Sequence, residues 1–147
     1  MRALLSATLL ALLLGGGSAF SQPIGPVPGS GTGYPVGAQP MTASASGTTG
    51  ALAAVLTGAV GQTTFLCGFL MSSGGTTTGA ATQTTVTGTV GGILNLVYVD
   101  VSSGQGLLGA AFPVCIPASG PNTPITVNMP AGGAGTQAAV FVWGYRL

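Results

Sequence analysis

Period-two alternation of apolar with polar or small residues runs through much of the chain, the spacing of strands that turn one face inward. Thr63, Phe65, Cys67, Phe69 and Met71 share one face of a first run, with Thr64, Leu66, Gly68 and Leu70 on the other. In a second, Thr85, Thr87 and Thr89 alternate with Val86, Gly88 and Val90, which predicts a half-buried strand with a hydroxyl-lined outer face. A third run, residues 93–101, is apolar on both faces: Ile93, Val97, Val99 and Val101 stand opposite Leu94, Leu96, Tyr98 and Asp100. That pattern predicts a central or covered strand. At the C-terminus, Phe141, Trp143, Tyr145 and Leu147 oppose Ala138, Val140, Val142 and Gly144. Shorter candidates cover residues 51–57, 111–116 and 125–129, although Ala and Leu in residues 51–61 also suit a short helix.

Gly- and Pro-rich turns at residues 73–75, 91–92, 103–104 and 130–135 separate these runs. The expectation is all-β: a single antiparallel β-sandwich of about seven strands, Greek-key or jelly-roll-like, over residues 41–147. Upstream the composition changes. Residues 22–40 interleave Pro23, Pro26, Pro28, Pro35 and Pro40 with Gly25, Gly29, Gly31, Gly33 and Gly37, which predicts an extended linker or disordered arm. Residues 1–21 have the layout of a secretory signal: Arg2, an apolar stretch over 3–14, three glycines, then Ala19 and Ser21 as small cleavage-site residues. The competing reading is an uncleaved anchor, for which the apolar stretch falls just short of the usual span of about 20 residues.

Charge then narrows the chemistry. The chain of 147 residues holds two cationic side chains, Arg2 and Arg146, one carboxylate, Asp100, and no His. That is 2% charged, against about 25% in an ordinary globular domain. Acid–base catalysis needs groups that titrate near the working pH, and paired carboxylates or an imidazole-assisted nucleophile cannot be assembled here. The expectation is no enzyme, no cofactor and no metal site, and too little basic surface for nucleic acid. Gly104-Gln105-Gly106-Leu107-Leu108-Gly109 matches a dinucleotide-binding fingerprint in letters alone. Pro113 and Pro117 forbid the helix that must follow it, and the stretch reads as a flexible turn. With the leader removed only Asp100 and Arg146 remain, and a neutral surface favours association.

Cys67 and Cys115 are an even pair in a chain that reads as exported, so a disulfide is expected; two buried, inert thiols are the alternative. Asp100 and Arg146 are candidates for an ion pair between two strands, worth about 0–1 kcal/mol if exposed. The row Phe141, Trp143 and Tyr145 either packs against the core or forms a contact surface.

Thr64-Phe65-Leu66-Cys67-Gly68-Phe69, Cys115-Ile116-Pro117-Ala118-Ser119, Asn122-Thr123-Pro124-Ile125-Thr126-Val127 and Trp143-Gly144-Tyr145-Arg146-Leu147 resemble a group of small Gly/Thr-rich proteins of alphaproteobacterial genomes and their phages or prophages. The resemblance implies a small disulfide-linked β-domain, with a virion surface or minor structural role. The functional expectation is a non-catalytic secreted, extracellular or periplasmic structural protein that works through packing and self-association, or with other cell-surface proteins. No stable membrane span is expected once the leader is cleaved. The alternatives are a phage head-decoration or tail component in a virion, and a carbohydrate or small-ligand binding module.

Overall fold

Strands form where β-branched, aromatic and small residues replace helix formers, and the described residues contain eight: β1 (Gln39–Thr48), β2 (Leu52–Leu56), β3 (Thr64–Gly74), β4 (Ala81–Thr89), β5 (Gly92–Val99), β6 (Gln105–Pro117), β7 (Ile125–Met129) and β8 (Gln137–Arg146). The structure, a computed structural model, describes residues 33–48, 50–74, 81–99, 105–131 and 137–147. The leader and most of the Pro/Gly arm lie outside the described residues. All pairings are antiparallel and nested, β1 with β8, β2 with β7, β3 with β6 and β4 with β5, and further β3–β8 and β4–β7 pairings complete the sheets. The result is two four-stranded sheets, sheet A in the order β1-β8-β3-β6 and sheet B in the order β2-β7-β4-β5. This is the strand order of a jelly roll, a double Greek key folded as two packed sheets.

The expected sandwich is therefore present, with one strand more than anticipated. The additional strand is β1, where Met41, Ala43 and Ala45 pack against the core and Thr42, Ser44 and Ser46 stay exposed. Its small residues alternate correctly but carry little hydrophobic contrast. Residues 52–56 extend as β2 rather than winding into a helix, because the partner Ile125–Met129 buries Ala54 and Leu56 in exchange. The glycine-rich stretch from Gln105 to Gly109 is not a turn but the first half of β6, paired residue by residue with Leu70–Gly74 of β3.

The core between the sheets is built from Leu66, Phe69, Met71, Val140 and Val142 of sheet A and Leu56, Val86, Ile125, Val127 and Met129 of sheet B, all essentially without solvent contact. Burial of each such side chain stabilises the fold by about 1.5–3 kcal/mol relative to exposure.

Two bulges redirect the alternation. In β3, Leu66 pairs with Gly144 and Gly68 with Trp143, so Cys67 is an extra residue. One inserted residue inverts the facing of everything beyond it. Thr64 and Leu66 face the core before the bulge, and Phe69, Met71 and Ser73 after it. The single face expected to run from Thr63 through Met71 is thus broken at Cys67, with Phe65 on the outer side and Phe69 and Met71 on the core side. In β4 the register shifts between Val86 and Thr89, which buries Thr89 and leaves Val90 exposed in the turn. Gly88 occupies that bulge at φ +86°, and a Cβ there would lie 2.1 Å from the Pro124 carbonyl oxygen, so only glycine fits.

The prediction that residues 93–101 form a central or covered strand is overturned. β5 is an edge of sheet B, and Ile93 and Val97 are 61% and 70% exposed. Among the described residues no strand lies beyond it, the β4–β5 hairpin being the innermost pair of the nested set.

Candidate functional site

The two faces of β8 follow from its sequence. Val140, Val142 and Gly144 turn inward, so Phe141, Trp143 and Tyr145 stand on the outer face of sheet A. The register then lays neighbouring strands beside them in rows. Pro40, Tyr145, Phe65 and Pro117 form one row, Thr42, Trp143, Gly68 and Ala111 the next, and Ser44, Phe141, Leu70 and Gly109 a third. Beyond these, Ser46, Ala139, Ser72 and Leu107 make a row of small and hydroxylated residues ending in one leucine.

The aromatic side chains differ in what they touch. Tyr145 stacks on Phe65 with ring centroids 4.6 Å apart and planes 11° from parallel, and Tyr34 leans on it at 5.3 Å. Sandwiched in this way Tyr145 is only 8% exposed, and burial raises its phenol above the ordinary range near pH 10. Trp143 lies across β3 at Gly68: a Cβ on that glycine would fall 2.2 Å from Cζ2 of the indole. The ring covers the gap left by the missing side chain. Phe141 lies 5.9 Å from Trp143 with planes 28° apart, close to the two-residue rise along a strand, so the two rings sit side by side. Phe141 and its cross-strand neighbour Leu70 are 42% and 43% exposed.

Beyond this apolar patch, at the end of sheet A, lies an open groove of about 470 Å³ lined by residues of both faces, among them Ser46 and Thr48 of β1, Ser72 and Ser73 of β3, and Ala138 and Ala139 of β8. A smaller depression of about 260 Å³ continues it past Ser44 to Leu70 and Phe141. The rows named above contain no carboxylate and no cation. Their polar groups are hydroxyls, one phenol and the indole N–H of Trp143, so the face offers shape, hydrogen bonds and apolar contact.

The predicted cysteines meet. Cys67 and Cys115 form a disulfide across 48 positions of sequence, with Cα atoms 4.2 Å apart. Cys67 is the bulged residue of β3, and on β6 residues 112–115 loop out between the pairs Gly68–Ala111 and Leu66–Ile116. The bond therefore closes the largest irregularity in sheet A, and it is compatible with an oxidising compartment such as the periplasm or the cell exterior. Asp100 lies outside the described residues, and with it the proposed ion pair. Arg146 donates from Nη2 to Gln39 Oε1 at 3.5 Å across the β1–β8 pair. Phe65, Leu70 and Tyr34 were not anticipated as part of this face. Phe65 and Leu70 belong here only because Cys67 is an insertion, which period-two reading cannot detect, and Tyr34 comes from the stretch read as linker.

No group of three or more His, Cys, Asp or Glu side chains among the described residues could hold a metal ion. None of the described residues forms a helix long and apolar enough to cross a membrane. A scan against protein-family models finds no match to this chain, and a search of curated proteins finds none either.

Proposed function

We propose that this chain is a non-catalytic, exported contact protein that packs against further copies of itself through the outer face of sheet A. The observation that carries this reading is the exposed Phe141–Leu70 pair, with Trp143 beside it, bordering a depression on the same face. An exposed apolar patch and the depression it borders, on one neutral surface, suit contact with a second copy, as at interfaces with an apolar core and a polar rim. Attraction between such faces does not depend on ion pairs, so salt screens nothing.

The test is sedimentation velocity with light scattering from micromolar to millimolar protein, in low and high salt. Association that grows with concentration and is unchanged by salt is expected, and Phe141→Lys should weaken it by at least tenfold. A wild-type protein that remains monomeric at millimolar concentration ends the proposal.

The jelly-roll order favours a second reading by fold analogy alone, since viral capsid domains use it: a virion component. Intact mass decides between them. Exported material cleaved near Ser21 supports the secreted protein, and full-length protein packaged in particles supports the virion.

A further inference from the structure

The four edges of the sandwich are not equally defended. Edge strands present unpaired N–H and C=O groups, and proteins blunt them with proline, bulges, charge or short length. Edge β1 carries Pro40 and a run of Ala, Ser and Gly with little area to offer. Edge β2 has five residues. Edge β6 has Pro113, Pro117 and the irregularity closed by the disulfide. Edge β5 has none of these between Ile93 and Val97, and among the described residues no strand lies beyond it.

That strand is also palindromic in character. Ile93-Leu94-Asn95-Leu96-Val97 reads the same in both directions: β-branched, leucine, amide, leucine, β-branched. Its outward positions, Ile93, Asn95 and Val97, are exposed, while Leu94 and Leu96, which pack against the core, are only partly buried. We infer that β5 pairs antiparallel with β5 of a second copy about a two-fold axis at Asn95, joining two B sheets into one eight-stranded sheet. In that register Ile93 faces Val97, Leu94 faces Leu96 and Asn95 faces Asn95, so every position meets its own kind. A two-fold contact requires such self-complementarity, and side chains directly opposite on one face of an antiparallel pair lie close enough to touch. Neutrality completes the match. A charge in this strand would face a copy of itself or a hydrocarbon, and it has none. The half-exposed leucines at the open side of the core gain cover from the same residues of the partner.

The inference rests on the reading that the protein works by self-association, and adds a second surface separate from sheet A. It is tested with Asn95→Cys in the otherwise wild-type protein, its Cys67–Cys115 bond intact. Residues directly opposite in an antiparallel pair have Cα atoms about 4.5–5.5 Å apart, within the reach of a disulfide. Mild oxidation should then link most chains through residue 95, as mapped by mass spectrometry. Val55→Cys on edge β2 is the control and should link at least tenfold more slowly. Adding Val97→Lys to Asn95→Cys should cut the linking rate at least tenfold, whereas Phe141→Lys on sheet A should leave it unchanged. If Asn95→Cys links no faster than Val55→Cys while wild-type protein still associates, the edge pairing is wrong and the sheet A proposal survives. If Asn95→Cys links rapidly while Phe141→Lys has no effect on association, the edge holds and the sheet A proposal falls.

Discussion

Sheets A and B contain the same number of strands but are secured by different means. Sheet A is irregular at its centre, where Cys67 is inserted and residues 112–115 loop away, and a covalent bond spans that irregularity. Its outer face is covered by its own rings, with Tyr34 and Phe65 closing over Tyr145 and Trp143 filling the space above Gly68. Sheet B has no cross-link among its described residues. Its outer face carries Thr85, Thr87, Asn95, Thr126 and Asn128, and Asn128 Nδ2 donates to Thr85 Oγ1 at 3.3 Å. It also ends in the undefended β5. The comparison teaches that a chain with almost no charge stabilises one sheet internally and leaves the other dependent on its surroundings.

The strongest way to break this comparison is to remove the staple. Replacing Cys67 and Cys115 together by Ala reopens a 48-residue separation, and constraint of the unfolded chain over such a loop is worth about 4 kcal/mol. Urea unfolding should show a loss of that order. Hydrogen exchange should place the earliest opening at the β3–β6 junction rather than in sheet B. A loss under about 1 kcal/mol would mean that packing of Phe69, Met71 and Leu66 alone secures sheet A, and the contrast between the sheets would disappear.

A smaller effect, of opposite sign, is expected in sheet B. The Thr84 hydroxyl is fully buried on the core side of β4 and has no hydrogen-bond partner. An orphaned buried hydroxyl costs about 1–3 kcal/mol. Thr84→Val keeps the shape and removes the cost, so it should raise the unfolding midpoint by about 1 kcal/mol of stability. A destabilised variant would show that the hydroxyl is satisfied in solution and that the core face of sheet B is better made than its inventory of contacts indicates.

The parts of this architecture that were legible before the fold, and those that were not, divide along the same line. Uninterrupted alternation identified β7 and β8 and correctly separated Val140 and Val142 from Phe141 and Trp143. The even cysteine count pointed to the disulfide. What period-two reading cannot see is an inserted residue: nothing in the letters around Cys67 or Gly88 marks a bulge, so Phe65 and Leu70 were placed on opposite faces and the extent of the aromatic patch was hidden. Strand β1 escaped because Ala, Ser and Gly give an alternation of size rather than of polarity. The reading of β5 as covered failed for a more instructive reason. Apolar residues on both faces signal a strand with something on each side of it, and among the described residues no element covers the outer side of β5. The proposed pairing across Asn95 would supply a continuation of the sheet on the exposed side.

The finest distinction between the sheets is one of pH. In sheet A the Tyr145 phenol is enclosed by Phe65 and Tyr34, and burial raises its pKa in the folded protein above the ordinary value near 10. Above that ordinary value the unfolded chain releases this proton while the folded chain still holds it, so the folded state binds more protons and stability falls as pH rises. The contribution is therefore fully present below pH 10 and is lost as pH climbs from there through the folded pKa. Unfolding free energies measured from pH 6 to 9 should accordingly differ little between wild type and Tyr145→Phe. Above pH 10 the wild type should lose stability faster than the variant, with phenolate absorbance appearing in parallel. The same slope in both proteins would mean that water reaches the Tyr145 oxygen freely, and that the ring stack of Phe65, Tyr145 and Tyr34 does not close the outer face of sheet A at that end.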